Sequence, residues 1–109
     1  MPDQSQRRAL ITRRSFRRPA KLTPPHAQRL RSRAIRLAPG TSIAWHSTRR
    51  REELLIILEG SVSVEAYDRR HRVRTTRLTP GACAFLAAQV RHRVVNRSAR
   101  PAQYIYVTG

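Results

Sequence analysis

Two histidines and one glutamate are the residues of this sequence best suited to chemistry. Six residues separate His46 from Glu53, and His92 follows much later in the chain. Imidazole and carboxylate groups bind Fe, Mn, Ni, Cu and Zn, and a set of three such ligands leaves coordination positions open for substrate or water. A metal pocket is therefore one hypothesis. Spacing alone leaves a second hypothesis open, in which each histidine lies at the end of a strand and hydrogen-bonds only to the backbone or to water.

A β-hairpin is the element that would bring these side chains together. Side chains alternate along a strand, so an extended segment around His46 places Ile43 and Trp45 on the opposite face. A return strand that begins at Glu53 would point this carboxylate toward His46. His92 would reach the same space from a later strand.

The remaining sequence predicts an all-β fold. Short β-branched and apolar runs are separated by Gly, Pro and Asp turns, which is typical of barrels and sandwiches. The predicted strands cover residues 34–37, 41–46, 53–58, 61–67, 73–78, 82–86, 92–96 and 103–107. The only cysteine, Cys83, lies in one of these apolar runs, and we expect it to be a small core residue.

A chain of 109 residues is long enough for one domain. Residues 1–28 contain seven basic residues, one acid and four prolines. This composition predicts a disordered or loosely docked N-terminal arm, part of which could add an edge strand to a sheet. Residues 29–109 form the predicted single barrel domain.

The net charge of +17 comes almost entirely from arginine, since Lys21 is the only lysine among 23 basic residues. An arginine-favouring genome explains this bias without any function. Nucleic-acid binding and an anionic small ligand or surface are the alternatives. Aromatic residues do not alternate with the arginines, which argues against a stacking surface for single strands. We therefore expect only non-specific charge attraction to nucleic acid.

Targeting signals are not evident in the sequence. No run of eighteen apolar residues occurs, so no membrane span is expected. Residues 12–16 look like a twin-arginine signal, but a basic segment follows them where an apolar one is needed. We expect a cytoplasmic protein.

Two motifs carry a family resemblance. The first, Gly40-x5-His46-x-Thr48-x4-Glu53-x6-Gly60, resembles the first cupin motif, G-x5-H-x-H-x3,4-E-x6-G. Every anchor fits except Thr48, which stands in place of the second histidine.

The second, Gly81-x5-Ala87-x-Gln89-x2-His92-x3-Asn96, resembles G-x5-P-x-G-x2-H-x3-N. Ala87 and Gln89 depart from it, and we expect Asn96 to hydrogen-bond across the barrel end. Over residues 33–107 the chain is thus similar to the small single-domain cupins. The resemblance implies a double-stranded β-helix, or jelly-roll barrel, preceded by the basic arm.

The resemblance also implies a metal site. In the family the two histidines, the glutamate and the later histidine hold the metal; here these positions are His46, Thr48, Glu53 and His92. A neutral threonine hydroxyl is a poor ligand for a transition metal. A divalent Fe, Mn, Ni, Cu or Zn ion would therefore rest on His46, Glu53 and His92.

Two alternatives to this three-ligand site remain open. The barrel could have lost its metal and kept the pocket, or His26 or His71 could replace the missing ligand. Both of these histidines lie in basic, loop-like sequence, which disfavours the replacement.

Six residues are expected to line the pocket: Thr48, Arg49, Arg51, Leu55, Phe85 and Tyr104. The arginines of the first-motif loop could attract a carboxylate or phosphate, or could belong to a solvated loop. Leu55 and Phe85 would line the barrel. Tyr104 and Tyr106 lie on one face of the last predicted strand, and one of them could donate a phenol to the pocket or only pack.

Two functions follow from these expectations. One is a metal-dependent enzyme acting on a small, anionic molecule; the other is a metal-free cupin that binds a small molecule without catalysis. No separate catalytic acid or base is visible in the sequence. The apolar run at residues 54–58 would be covered on both faces, one by the barrel core and the other by a second sheet layer or another subunit, and for this reason we expect a homodimer.

Overall fold

Two antiparallel β-sheets make up the fold. The computed structural model describes residues 10–109, in which the strands are β1 (Ala20–Lys21), β2 (Arg31–Leu37), β3 (Ser42–His46), β4 (Glu53–Glu59), β5 (Val62–Tyr67), β6 (Val73–Leu78), β7 (Cys83–Leu86), β8 (His92–Val95) and β9 (Ala102–Thr108). One sheet has the order β1-β2-β9-β4-β7 and the other β3-β8-β5-β6. The predicted all-β barrel is confirmed. Within these residues no helix is long and apolar enough to span a membrane.

The core fills the space between the two sheets. Alternation along β4 buries Leu55 and Ile57 at 1% exposure each, whereas Leu54 and Ile56 on the other face are half-buried. Val62 and Val94 meet them from the opposite sheet. Burying a side chain of this size contributes roughly 1.5–3 kcal/mol, so these positions anchor the barrel around the site.

Asn96 closes one end of the barrel. It is fully buried, and its amide nitrogen donates to the carbonyl oxygens of Leu37 at 3.0 Å and Arg100 at 2.8 Å. Its amide oxygen accepts from both the backbone and the hydroxyl of Ser98. The expected hydrogen bonding of Asn96 across the barrel end is therefore present.

Part of the basic arm lies against the barrel. β1 pairs with β2 through Ala20 and Ala34, which adds the short edge strand that the sequence allowed. The side-chain amide of Gln103 donates to the carbonyl oxygen of Phe16, which is a second contact between the arm and this sheet. Residues 1–9 of the predicted arm lie outside the described residues.

The expectation that Cys83 is a core residue is wrong. On β7 the burial pattern alternates, and Cys83 is exposed while Leu86 is buried. Cys83 pairs with Ile56, whose side chain lies on the outer face of β4. An apolar run in the sequence does not reveal which of its residues point outward.

Candidate metal centre

A β-bulge in β3 positions His46. Ile43 pairs with Val94 and His46 pairs with His92, so three steps along β3 match two steps along β8. The extra residue breaks the strict alternation of faces. Ile43 packs against the core, yet the more exposed His46 also lies beside His92, with ring centroids 4.4 Å apart. The expectation that Ile43 and His46 face opposite sides is therefore wrong.

Glu53 enters the site from the other sheet. As the first residue of β4 it pairs with Leu86 on one side and Thr108 on the other, and it is 5% exposed. His92 is 1% exposed. One ligand atom each from His46, Glu53 and His92 lie within 4.8 Å of one another. The structure thus brings these three residues together at one end of the barrel.

The backbone fixes the orientation of both imidazoles. Nδ1 of His46 lies 2.9 Å from the carbonyl oxygen of Ala44, and Nδ1 of His92 lies 2.9 Å from that of Val90. A carbonyl oxygen can only accept, so each Nδ1 carries the proton and donates. In the neutral ring Nε2 is then a bare acceptor, the state in which histidine binds a metal.

Two buried atoms at the centre of the site, one from His92 and one from Glu53, lie at ion-pair distance from each other. Nε2 of His92 lies 2.6 Å from Oε2 of Glu53, yet neither atom has a satisfactory hydrogen bond among residues 10–109. Two acceptors this close repel each other unless a cation, either a proton or a metal ion, lies between them. Buried polar atoms without partners are rare and costly. The donor set of two imidazoles and a carboxylate therefore fits a transition metal.

Electrostatics at His92 agree with this geometry. Burial disfavours the charged ring, but the Glu53 carboxylate and the Val90 carbonyl outweigh it and raise the pKa of His92 above the usual 6.5. The site therefore attracts positive charge. Burial, aided by the nearby Glu53 charge, raises the pKa of the Tyr104 phenol, so this hydroxyl stays protonated.

Thr48 does not replace the missing histidine. Its hydroxyl donates to the carbonyl oxygen of Arg51 at 2.6 Å and so closes the turn between β3 and β4. Neither His26 nor His71 joins the cluster, which in the described part of the chain consists of His46, Glu53 and His92. His71 lies at the β5–β6 turn, beside a separate cleft.

A cleft of about 1190 Å³ opens at the site. It is lined by Arg31, Ile43, Ala44, Trp45, His46, Ser47, Thr48, Arg49, Arg50, Arg51, Glu53, Gln89, Tyr106 and Thr108. Among them are four arginines and one acid, Glu53. The mouth of the cleft is thus strongly positive.

The six expected pocket residues divide into three groups. Thr48, Arg49 and Arg51 line the cleft. Leu55 and Tyr104 are buried in the barrel core beneath it, where they support the site without facing the open space. Phe85 is 61% exposed on the outer face of β7, so the expectation that it lines the barrel is wrong.

Trp45, which the alternation of faces places opposite His46, both packs against other side chains and reaches the cleft. Its ring packs at 4.9 Å against Tyr67 and lies under the Arg93 guanidinium, and Trp45 also borders the cleft.

Among the cleft residues that the sequence did not predict are Arg31, Gln89 and Thr108, and of the two tyrosines of β9 it is Tyr106 that lines the cleft. Thr108 pairs with both Arg31 and Glu53, so these three side chains form one row across the sheet. That row depends on the register of β2 and β9, which no motif specifies. Gln89 did carry a signal, since it stands where the second motif has a glycine.

A family model described as Cupin domain matches residues 34–108, about two thirds of the chain. The chain belongs to the cupin family. Both sequence motifs, and all three metal-capable residues, fall within the matched region. No curated protein matches the sequence.

Solved structures similar to this cupin support the same fold. TT1209 from Thermus thermophilus is 27% identical, with a TM-score of 0.70 over 100% of this chain and 95% of that one. Oxalate decarboxylase from Bacillus subtilis is 21% identical, with a TM-score of 0.71 over 81% of this chain and 24% of its own. An oxalate oxidase is 15% identical, with a TM-score of 0.68 over 72% and 41%. This cupin thus spans less than half of either oxalate protein.

Proposed function

We propose that this cupin binds one divalent transition-metal ion through His46, Glu53 and His92 and holds a small anionic molecule beside it. The carrying observation is the buried pair of acceptors, His92 Nε2 and Glu53 Oε2, 2.6 Å apart without a satisfactory hydrogen bond. A metal ion would satisfy both atoms together with the imidazole of His46. Fe, Mn, Ni, Cu and Zn all accept this donor set.

Each part of the site has a distinct task in this proposal. A bound metal would act as a Lewis acid toward an oxygen of the small molecule. The backbone contacts at Nδ1 hold both imidazoles in the metal-binding tautomer. The cleft arginines draw an anion toward the opening. The names of the two oxalate proteins, which describe action on a small carboxylate, are compatible with such a ligand.

Glu53 is the only carboxylate among the described residues that line the cleft. As a metal ligand it is not free to transfer protons. This supports a role in which the metal and the arginines hold the small molecule, and any reaction would proceed at the metal rather than at a separate acid or base.

Elemental analysis of the purified protein tests the metal. The protein is reconstituted in turn with Fe, Mn, Ni, Cu and Zn and then dialysed. We expect about one ion per chain for at least one metal. No retained ion in any preparation would contradict the proposal and favour the second function, a metal-free binder of small molecules. The engagement of the Thr48 hydroxyl in a turn is the observation that favours this alternative.

Metal binding should weaken as the pH falls. The pKa of His92 is raised by Glu53 and the Val90 carbonyl, so a proton competes with the metal at a higher pH than for an ordinary imidazole. Affinity should rise with pH until the pH exceeds this raised pKa and then level off. Calorimetric titration of the metal at several values between about pH 6 and pH 8.5 measures this dependence of the affinity on pH. An affinity that stays constant over this range would show that His92 is not a ligand.

We further propose that the protein is a homodimer. The outer face of β4 presents the half-buried Leu54 and Ile56 beside the exposed Phe85. A second copy could cover this face. Size-exclusion chromatography with light scattering on the full chain should give twice the monomer mass of 12.6 kDa. The Phe85→Glu variant should give a mass closer to that of the monomer. A monomer mass for the unmodified chain would contradict this proposal.

A further inference from the structure

Two strained residues meet at the mouth of the cleft. Among the described residues, three that are not glycine have a positive φ: Arg49 at 57°, His71 at 58° and Gln89 at 69°. This left-handed conformation is unfavourable for residues with a side chain and often marks functional sites. Arg49 and Gln89 both line the cleft.

The two residues are joined directly. The backbone N–H of Gln89 donates to the carbonyl oxygen of Arg49 at 2.7 Å, which ties the loop before β8 to the loop between β3 and β4. This contact uses only backbone atoms, so a glycine at position 89 would make it equally well and without strain. The side chain of Gln89 is therefore not needed for the loop.

No hydrogen bond among the described residues accounts for the Gln89 side chain. It is exposed, and its amide has no hydrogen bond to any residue in the range 10–109. It adjoins a cleft with four arginines. None of those arginines forms an ion pair with a described residue, whereas Arg93 and Arg97 are paired with Glu65. Unpaired guanidinium groups beside an unused amide suit an anion with several oxygen atoms.

We propose that Arg49 and Gln89 form a binding pair for an oxyanion, and that Gln89 is a specificity-determining residue of the cleft. The Arg49 guanidinium supplies charge and paired N–H donors, and the Gln89 amide donates to a further oxygen of the same anionic group. The inference rests on the proposed function, because it places the ligand in the cleft beside His46 and Glu53. The ligand class is a compact molecule that bears a carboxylate or a phosphate group.

The test compares two substitutions to glycine. Gln89→Gly removes the amide and relieves the strain, while the backbone contact with Arg49 remains. His71→Gly relieves a similar strain at the β5–β6 turn, at a residue that does not line the cleft with Arg49, and is the matched control. Binding of acetate, malonate, succinate and inorganic phosphate to the full chain is measured by calorimetry at physiological salt, which screens non-specific attraction. Thermal unfolding and metal content are measured on the same samples.

At least one of the four anions should bind the unmodified chain. Comparing the three carboxylates with inorganic phosphate shows which anionic group the cleft prefers. Gln89→Gly should weaken that binding about tenfold, the usual effect of losing a hydrogen bond to a charged group. Its melting temperature should be unchanged or raised, as for His71→Gly, whose anion binding should match the unmodified chain. Anion affinity would then fall without a loss of stability. If Gln89 had only a structural role, the two quantities would fall together.

The inference is overturned if none of the anions binds, or if Gln89→Gly binds them as well as the unmodified chain does. The metal content separates this result from the proposed function. A chain that retains metal but is insensitive to Gln89→Gly contradicts only the binding pair. A chain without metal whose anion binding still depends on Gln89 contradicts only the metal site.

Discussion

Replacing Glu53 by glutamine should weaken metal binding by at least about 100-fold, since loss of a residue that merely supports a ligand already costs 10–100-fold. Glutamine keeps the shape of the side chain but removes the negative charge and one acceptor oxygen. Its amide can donate to Nε2 of His92, so the metal-free fold should persist. The free energy of unfolding without metal should therefore stay within about 1 kcal/mol of that of the unmodified protein.

Glu52 provides the matched control. It is adjacent in sequence, exposed, and absent from the ligand cluster. Glu52→Gln makes the same change of charge, and metal affinity should be unaffected. His46→Ala and His71→Ala form a second pair with the same expected contrast. Calorimetric titration of the metal that binds the unmodified protein gives all of these affinities. Equal losses for Glu52→Gln and Glu53→Gln would show that the metal responds only to overall charge.

Replacing Gly60 by alanine should destabilise the fold by about 3 kcal/mol. Gly60 has a φ of +70°, where a side chain adds strain of about 1–2 kcal/mol. An added Cβ would also meet the carbonyl oxygen of Pro101 and lie 2.8 Å from the Cα of Ala102. Both are backbone atoms and cannot move aside as a flexible side chain could, so overpacking adds roughly 1–3 kcal/mol.

Gly40 separates these two effects. Its φ is +73°, yet a Cβ there would have no atom within 4 Å. Gly40→Ala should therefore cost only the conformational strain, about 1–2 kcal/mol. Urea unfolding of both variants measures the difference. If the two substitutions cost the same, the close approach of residues 101 and 102 to the β4–β5 turn is not a constraint on this barrel.

The sequence allowed most of the fold to be predicted, because its signals are local. Runs of β-branched residues mark the strands, and Gly60 and Gly81 adopt the positive φ that turns between strands require. The three metal-capable residues were found for the same reason, since each occupies a fixed place in a motif. Asn96 likewise has a fixed motif position, which predicts its hydrogen bonds across the barrel end.

The misses depend on long-range arrangement. Phe85 and Cys83 were placed inside because their run is apolar, but only the pairing of β7 with β4 decides which side chains point outward. Ile43 was misplaced because a bulge in β3 leaves no mark in the sequence. The position of Arg31 in the cleft could not be predicted, because β9 lies between β2 and β4 and its register with both strands decides which residues are neighbours.

A crystal structure of the metal-loaded protein tests the metal site most directly. Anomalous diffraction at the absorption edge of the bound metal locates the ion independently of the protein. One peak is predicted within bonding distance of Nε2 of His46, Nε2 of His92 and the carboxylate of Glu53, with Thr48 still bonded to the carbonyl oxygen of Arg51. A peak elsewhere, or a hydrogen-bonded His92–Glu53 pair without a metal peak, would contradict the three-residue metal centre.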